Sequence, residues 1–298
     1  MYTRREFIVN GITTALALAT GCAVTQRTPT NYNKNIGYVL LDLEHQAGFP
    51  TPAESYRKLE GLFEESRKRI KQNTGPVVML QTIDTILNRS FTHSAMADTS
   101  LLGAALSKGR CDIDCDITSY LYLAIGEELN LPLRGVTAPE HFFVRWHYTD
   151  ENYIDWETTS GMLTNDEHYA RVFHVSPDSI TRGIYLKSLS REELIGKHYG
   201  NIATEILLQG QYDKALLFLE KALENYPQEI GSIANTGVAL EYLGHLPEAL
   251  DNYLRALVLD PNNQKIHANL GKCLRRMGRK AEAEEHLRTA AELKKRSS

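Results

Sequence analysis

From Thr51 to Gln72 the apolar positions fall at helical spacing: in TPAESYRKLEGLFEESRKRIKQ, Leu59, Leu62, Phe63 and Ile70 share one face, with Pro52 near the first turn. PVVMLQTIDTILN continues in the same style. After Ile117, the positions of Leu121, Leu123, Ala124 and Leu129 predict a further helix, which Pro132 stops. The period then changes. HFFVRWHY and NYIDWETT alternate, are rich in aromatic and β-branched residues, and flank the turn-like TDE, so they predict two paired strands. A helical half followed by strands predicts an α+β domain over residues 37–189.

From residue 190 to 298 the pattern repeats. Gly210, Gly244 and Gly278 stand 34 residues apart, as do Ala215, Ala249 and Ala283, and Ala222, Ala256 and Ala290. Pro227 and Pro261 keep the same interval. Small alanines let paired helices approach closely, a glycine closes the first helix in a left-handed turn, and a proline ends the second. The period resembles tetratricopeptide repeats, with units at about 196–229, 230–263 and 264–297. That resemblance implies an all-α solenoid that takes a protein or peptide ligand. Cys273, on the first helix of the third unit, is expected to be buried packing.

The chemistry concentrates in GRCDIDCDITSYLYLAIGEELNLPLRGV. Asp114 and Asp116 flank Cys115 and can cap free amides, which puts Cys115 at, or one residue before, a helix N-terminus. There the orphan amides and the macrodipole favour a thiolate, while Asp112, Asp114 and Asp116 oppose one by like-charge repulsion. His141 opens the first strand. Asp155 lies 14 residues later, close to the matching place on the next strand, where it can hold one imidazole nitrogen while the other faces Cys115. Glu157, two residues on and on the same strand face, is a rival for that role. Cys111 is a rival nucleophile. A Cys111–Cys115 disulfide, zinc on these cysteines with His141, and calcium on the aspartates are weaker readings, lacking respectively suitable helical geometry, a fourth ligand and a complete loop. Trp146 and Trp156 read as core or pocket walls, and His93, His168 and His174 as surface or packing residues.

Cysteine at a helix start, histidine on a strand and aspartate on the next strand resembles the transglutaminase-like branch of the papain-like fold. Pro132, 17 residues after Cys115 in LNLPLRGV, stands where that family has its own proline, and Ser119 where it prefers a small residue. The resemblance covers roughly residues 75–165 and implies a Cys115–His141–Asp155 triad, with acyl transfer on amides by hydrolysis or transamidation. The expected architecture is a transglutaminase-like α+β domain followed by the repeat solenoid. No cofactor is implied.

Composition adds limits. The chain has 298 residues, 42% hydrophobic and 23% charged, with a net charge of −4, which gives no basic footprint for nucleic acid. Four cysteines are too few and scattered for a disulfide scaffold. Residues 1–22 read as an export signal: Arg4 and Arg5 precede a short apolar run, TRREFI resembles a twin-arginine signal, and LATGC resembles a lipobox that would acylate Cys22. Ala19 stands where leucine is more usual. Residues 23–36 are a polar tether. The expected location is the cell envelope, as an exported lipoprotein that is periplasmic or anchored to membrane by its lipid.

Overall fold

The computed structural model describes residues 34–296 except positions 72, 95, 96 and 98. The signal, Cys22 and most of the tether lie outside the described residues. The tether ends at Asn35, whose side chain caps helix α1 (Ile36–Gln46) by accepting from the Gly37 amide. The predicted amphipathic stretches form α2 (Ala53–Arg69) and α3 (Pro76–Leu87), with Leu59, Leu62, Phe63 and Ile70 all buried.

Two short parallel strands, β1 (Phe91–His93) and β2 (Cys111–Ile113), bracket α4 (Leu102–Ser107). Next comes α5 (Cys115–Glu128), then an antiparallel sheet of β3 (Leu133–Ala138), β4 (His141–His147), β5 (Tyr153–Glu157) and β6 (Met162–Thr164) in that spatial order. Two short helices follow, α6 (Asp166–Val172) and α7 (Pro177–Thr181).

Both sheet faces are buried, because side chains alternate along each strand. Phe142, Val144, Trp146 and Trp156 join the core built by α1 to α5. Val136, Ala138 and Phe143 join a second core with Tyr169 and the later repeats. Both tryptophans are therefore core, and the Trp156 indole donates to the Tyr122 hydroxyl at 3.0 Å.

The repeat region is three helix pairs: α8 (Arg191–Leu208) with α9 (Tyr212–Asn225), α10 (Ile230–Tyr242) with α11 (Leu246–Leu259), and α12 (Gln264–Arg276) with α13 (Lys280–Arg296). Gly210, Gly244 and Gly278 have φ of +71°, +88° and +81°, the left-handed geometry the spacing predicts. Cys273 is fully buried. A reciprocal capping box between Ser190 and Glu193 starts α8. Leu194, Ile195, Tyr199, Ile202 and Ile206 of α8 pack in the same core as α1 to α5. The hydrophobic core therefore runs through the boundary near residue 190 instead of dividing there.

Candidate active site

Cys115 is the first residue of α5. Asp114 precedes it as N-cap, accepting from the Ile117 amide at 2.9 Å and from Ser100 Oγ at 2.9 Å. Burial first, then the charges of Asp116 and Asp114, push the thiol up to about 12; the Lys197 charge and a backbone bond with Phe142 pull the other way. Cys111 lies in β2 with its sulfur against the Ala105 carbonyl at 3.5 Å, and neither cysteine is in a disulfide.

His141 opens β4 beside the two-residue turn of Pro139 and Glu140. Glu140 has φ of +56°, which is strained for a residue with a side chain. The imidazole stacks on Phe173, centroids 5.1 Å apart, and its Nε2 lies 2.6 Å from Glu157 Oε2. Glu157 also accepts from Tyr169 Oη at 3.0 Å, the Thr159 amide at 3.0 Å and Thr159 Oγ1 at 2.5 Å. Burial alone would raise this carboxyl, but the hydrogen bond and charge of His141 and the Thr159 bonds bring it down to about 2.

Asp155 does not orient His141. Its carboxylate is taken by Arg145, Nε to Oδ1 at 2.6 Å and Nη2 to Oδ2 at 3.0 Å, with side chains 4% and 0% exposed. Arg145 also reaches Asp166 and the Leu186 carbonyl and lies over the Tyr153 ring, 3.7 Å from its centroid. Register is the reason. Arg145 pairs with Asp155 and Val144 with Trp156, so extending the ladder puts Thr159 opposite His141 and Glu157 on the diagonal. A spacing of 14 needs a tighter hairpin than the one closed by Tyr148 and Asn152.

Cys115 and His141 line one cavity of about 900 Å³. Its other walls include Lys197, Glu229, Asn235, Lys265 and Asn269 from the repeats. No hydrogen bond joins the thiol to the imidazole. His141 shares the strand face of Phe143 and Arg145, whereas α5 packs on the other face, where Ser119 Oγ donates to the Phe142 carbonyl at 2.9 Å. His93, read from sequence as a surface or packing residue, also lines the cavity. Its Nδ1 lies 3.0 Å from Thr118 Oγ1, and burial lowers its basicity.

Sequence reasoning also missed Arg145, Tyr169 and Lys197. Lys197 Nζ lies 3.0 Å from Asp116 Oδ2, and Asn201 Nδ2 lies 2.9 Å from the same oxygen. A signal was present: Lys197 and Lys265 occupy one repeat position two periods apart, with Gly231 between them.

A family model described as the transglutaminase-like superfamily matches residues 53–199, and tetratricopeptide repeat models match 200–229, 237–278 and 264–297. The chain carries a transglutaminase-like domain followed by tetratricopeptide repeats. Among curated proteins, tetratricopeptide repeat protein 16 of Macaca fascicularis is 32% identical over 31% of this chain, which spans 11% of that relative's length. Among solved structures, a point mutant of MamA is 32% identical, over 35% of this chain and 82% of its own, with a TM-score of 0.30. A crystal structure of menin that reveals the binding site for Mixed Lineage Leukemia (MLL) protein covers 88% of this chain and 67% of its own at 13% identity, with a TM-score of 0.57. The menin likeness is one of fold, and it extends across both the transglutaminase-like domain and the repeats.

Proposed function

We propose that this chain takes a protein or peptide segment into the cavity between its transglutaminase-like domain and its repeats and carries out thiol acyl transfer on it. The observation that carries this reading is that Cys115 and His141, the latter paired with Glu157, line one cavity whose walls also include repeat residues such as Glu229, Asn235 and Lys265. Cys115, His141 and Glu157 are the proposed triad.

The resting thiol is neutral, so its proton must leave during attack. With Nε2 committed to Glu157, Nδ1 of His141 is the ring nitrogen left to receive that proton. As Sγ bonds to the carbonyl carbon, the proton passes to His141 and Glu157 stabilises the imidazolium. Amides in the first turn of α5 are the donors for the oxyanion. Collapse breaks the carbonyl bond to the leaving group, which takes the proton back from His141. Water or an amine then attacks the thioester carbon and gives a proton to His141, and cleavage of the C–S bond releases Sγ, which takes that proton back. A bound segment must first close the gap between thiol and imidazole, which is often loose before substrate binds.

A second reading, a binding module without catalysis, draws on the thiol held up to about 12 and on the missing thiol–imidazole bond. Peptides bearing an acyl electrophile separate the two readings. Labelling of Cys115 that outpaces a simple alkylator and falls in a His141→Gln variant supports the enzyme; labelling indifferent to His141 supports the module.

We further propose that residues 1–22 are an export signal and that Cys22 carries lipid, placing the protein in the cell envelope. The basis is the Arg4–Arg5 pair, the short apolar run and LATGC. Palmitate labelling lost in Cys22→Ala is the expected result; labelling retained in that variant contradicts it. No helix among the described residues is long and apolar enough to cross a membrane.

A further inference from the structure

The residue next to the thiol is held by α8, the helix on which the transglutaminase-like match ends and the repeat matches begin. Asp116 follows Cys115, and its Oδ2 receives Lys197 Nζ at 3.0 Å and Asn201 Nδ2 at 2.9 Å. Lys197 and Asn201 are four apart on α8, so they share one helix face. The ion pair is sheltered, with side chains 13% and 16% exposed, and Lys197 also lies over the Phe142 ring, 5.1 Å from its centroid. Shelter matters, because an exposed pair of this kind contributes little. Lys265, two repeat periods later, reaches Glu140, the residue before His141, at 2.9 Å, but that pair is exposed and makes a poor lever.

We propose that Lys197 is a positioning residue for Cys115, so that the first repeat sets the electrostatic state of the nucleophile. The proposal rests on the reading of Cys115 as the reactive thiol. Two carboxylates, Asp114 and Asp116, stand within one turn of the sulfur and raise the cost of a thiolate. Lys197 opposes them: it pins the Asp116 carboxylate by a charge-assisted bond and brings a positive charge to the thiol. Burial would lower the lysine's own affinity for its proton, but the charges of Asp116 and Glu229 and the Asp116 bond raise it instead, so the charge persists at neutral pH. The other titratable groups on the cavity wall are His93 of β1, Glu140 and His141 at the start of β4, Tyr185, and Tyr226, Glu229 and Lys265 from the repeats. All of them stay constant in the comparison below.

The test measures alkylation of Cys115 in the full-length protein by iodoacetamide from pH 7 to 10. Fragment-ion mass spectrometry localises the label to Cys115, which separates it from Cys111 on the same peptide. Lys197→Met is expected to slow the reaction roughly tenfold and move its pH profile upward, Asp116→Asn to speed it by a similar factor and move the profile downward. Lys197→Arg is expected to restore most of the lost rate, and the double variant to fall between the singles. A purely structural contact predicts otherwise, since removing either partner loosens the same joint. Shifts in the same direction, or none in Asp116→Asn, overturn the proposal. Alkylation needs no turnover, so the two readings fail separately. Opposite shifts with no acyl transfer remove the enzyme and leave the electrostatic coupling; acyl transfer with same-direction shifts does the reverse.

Discussion

Arg145–Asp155 and His141–Glu157 lie on one face of β4 and β5, each joining a basic group on one strand to a carboxylate on the next. At one end of that face Asp155 is fully buried, its two oxygens taken by a bidentate guanidinium, with Asp166, the Leu186 carbonyl and the Tyr153 ring completing the enclosure. At the other, the imidazole reaches the cavity while Glu157 is held behind it by Tyr169 and Thr159. The first pair is closed on every side and can only support the sheet. The second keeps one ring nitrogen free of its carboxylate, which a general base requires. Chemistry alone does not assign the roles. Which wall each pair faces does.

The largest effect expected from this contrast is at the closed end. Asp155→Ala leaves a buried guanidinium without its bidentate partner and is expected to cost about 3–5 kcal/mol in urea unfolding. Labelling of Cys115 per folded molecule should stay at the wild-type level. A loss below about 1 kcal/mol would make the two ends alike, contrary to the burial that separates them.

Glu157→Gln comes next, at about 1–3 kcal/mol near neutral pH, with slower Cys115 labelling. Its pH dependence has a definite sign. Glu157 has a folded value of about 2 against 4.5 for the free group, so its contribution is present above 4.5 and disappears as pH falls toward 2. Urea titrations at pH 6 and pH 3 should therefore show the gap between wild type and Glu157→Gln closing with acid. A gap that widens contradicts the assignment.

Smaller effects sharpen the contrast. Tyr169→Phe removes one donor from Glu157 and is expected to cost about 1 kcal/mol in urea unfolding. Glu140→Gly relieves a left-handed φ at the turn before His141, and a gain of about 0.5–1 kcal/mol is expected from thermal unfolding. The exposed Lys265 bridge it gives up is worth little.

Much of the architecture was legible because it repeats or alternates. The 34-residue interval placed the three left-handed glycines, and the period-two strands placed Phe142, Val144 and Trp146 on one face. The helix starting at Cys115 followed from Asp114 as cap and Pro132 as stop. The orienting acid was not legible. Asp155 and Glu157 share a strand face, and only the register set by the loop from Tyr148 to Asn152 decides which one the histidine meets. Lys197 was only half visible, since its match to Lys265 two periods on marks a shared helix position and not a contact. It reaches the site from the repeat region, and the spacing rules that revealed the helices carry no information about contacts between distant segments. The protonated state of Cys115 was also beyond sequence, since the helix terminus and the aspartates oppose each other there and burial tips the result.

The central claim is that Cys115 acts with His141 and Glu157, and that Asp155 supports the sheet alone. It is tested most directly by the rate at which a peptide-linked acyl electrophile labels Cys115 in wild type, His141→Gln, Glu157→Gln and Asp155→Asn, each normalised to folded protein. The account predicts a rate reduced by about two orders of magnitude without His141, a smaller reduction without Glu157, and a wild-type rate for Asp155→Asn. Equal rates in wild type and His141→Gln, or a loss confined to Asp155→Asn, would contradict it.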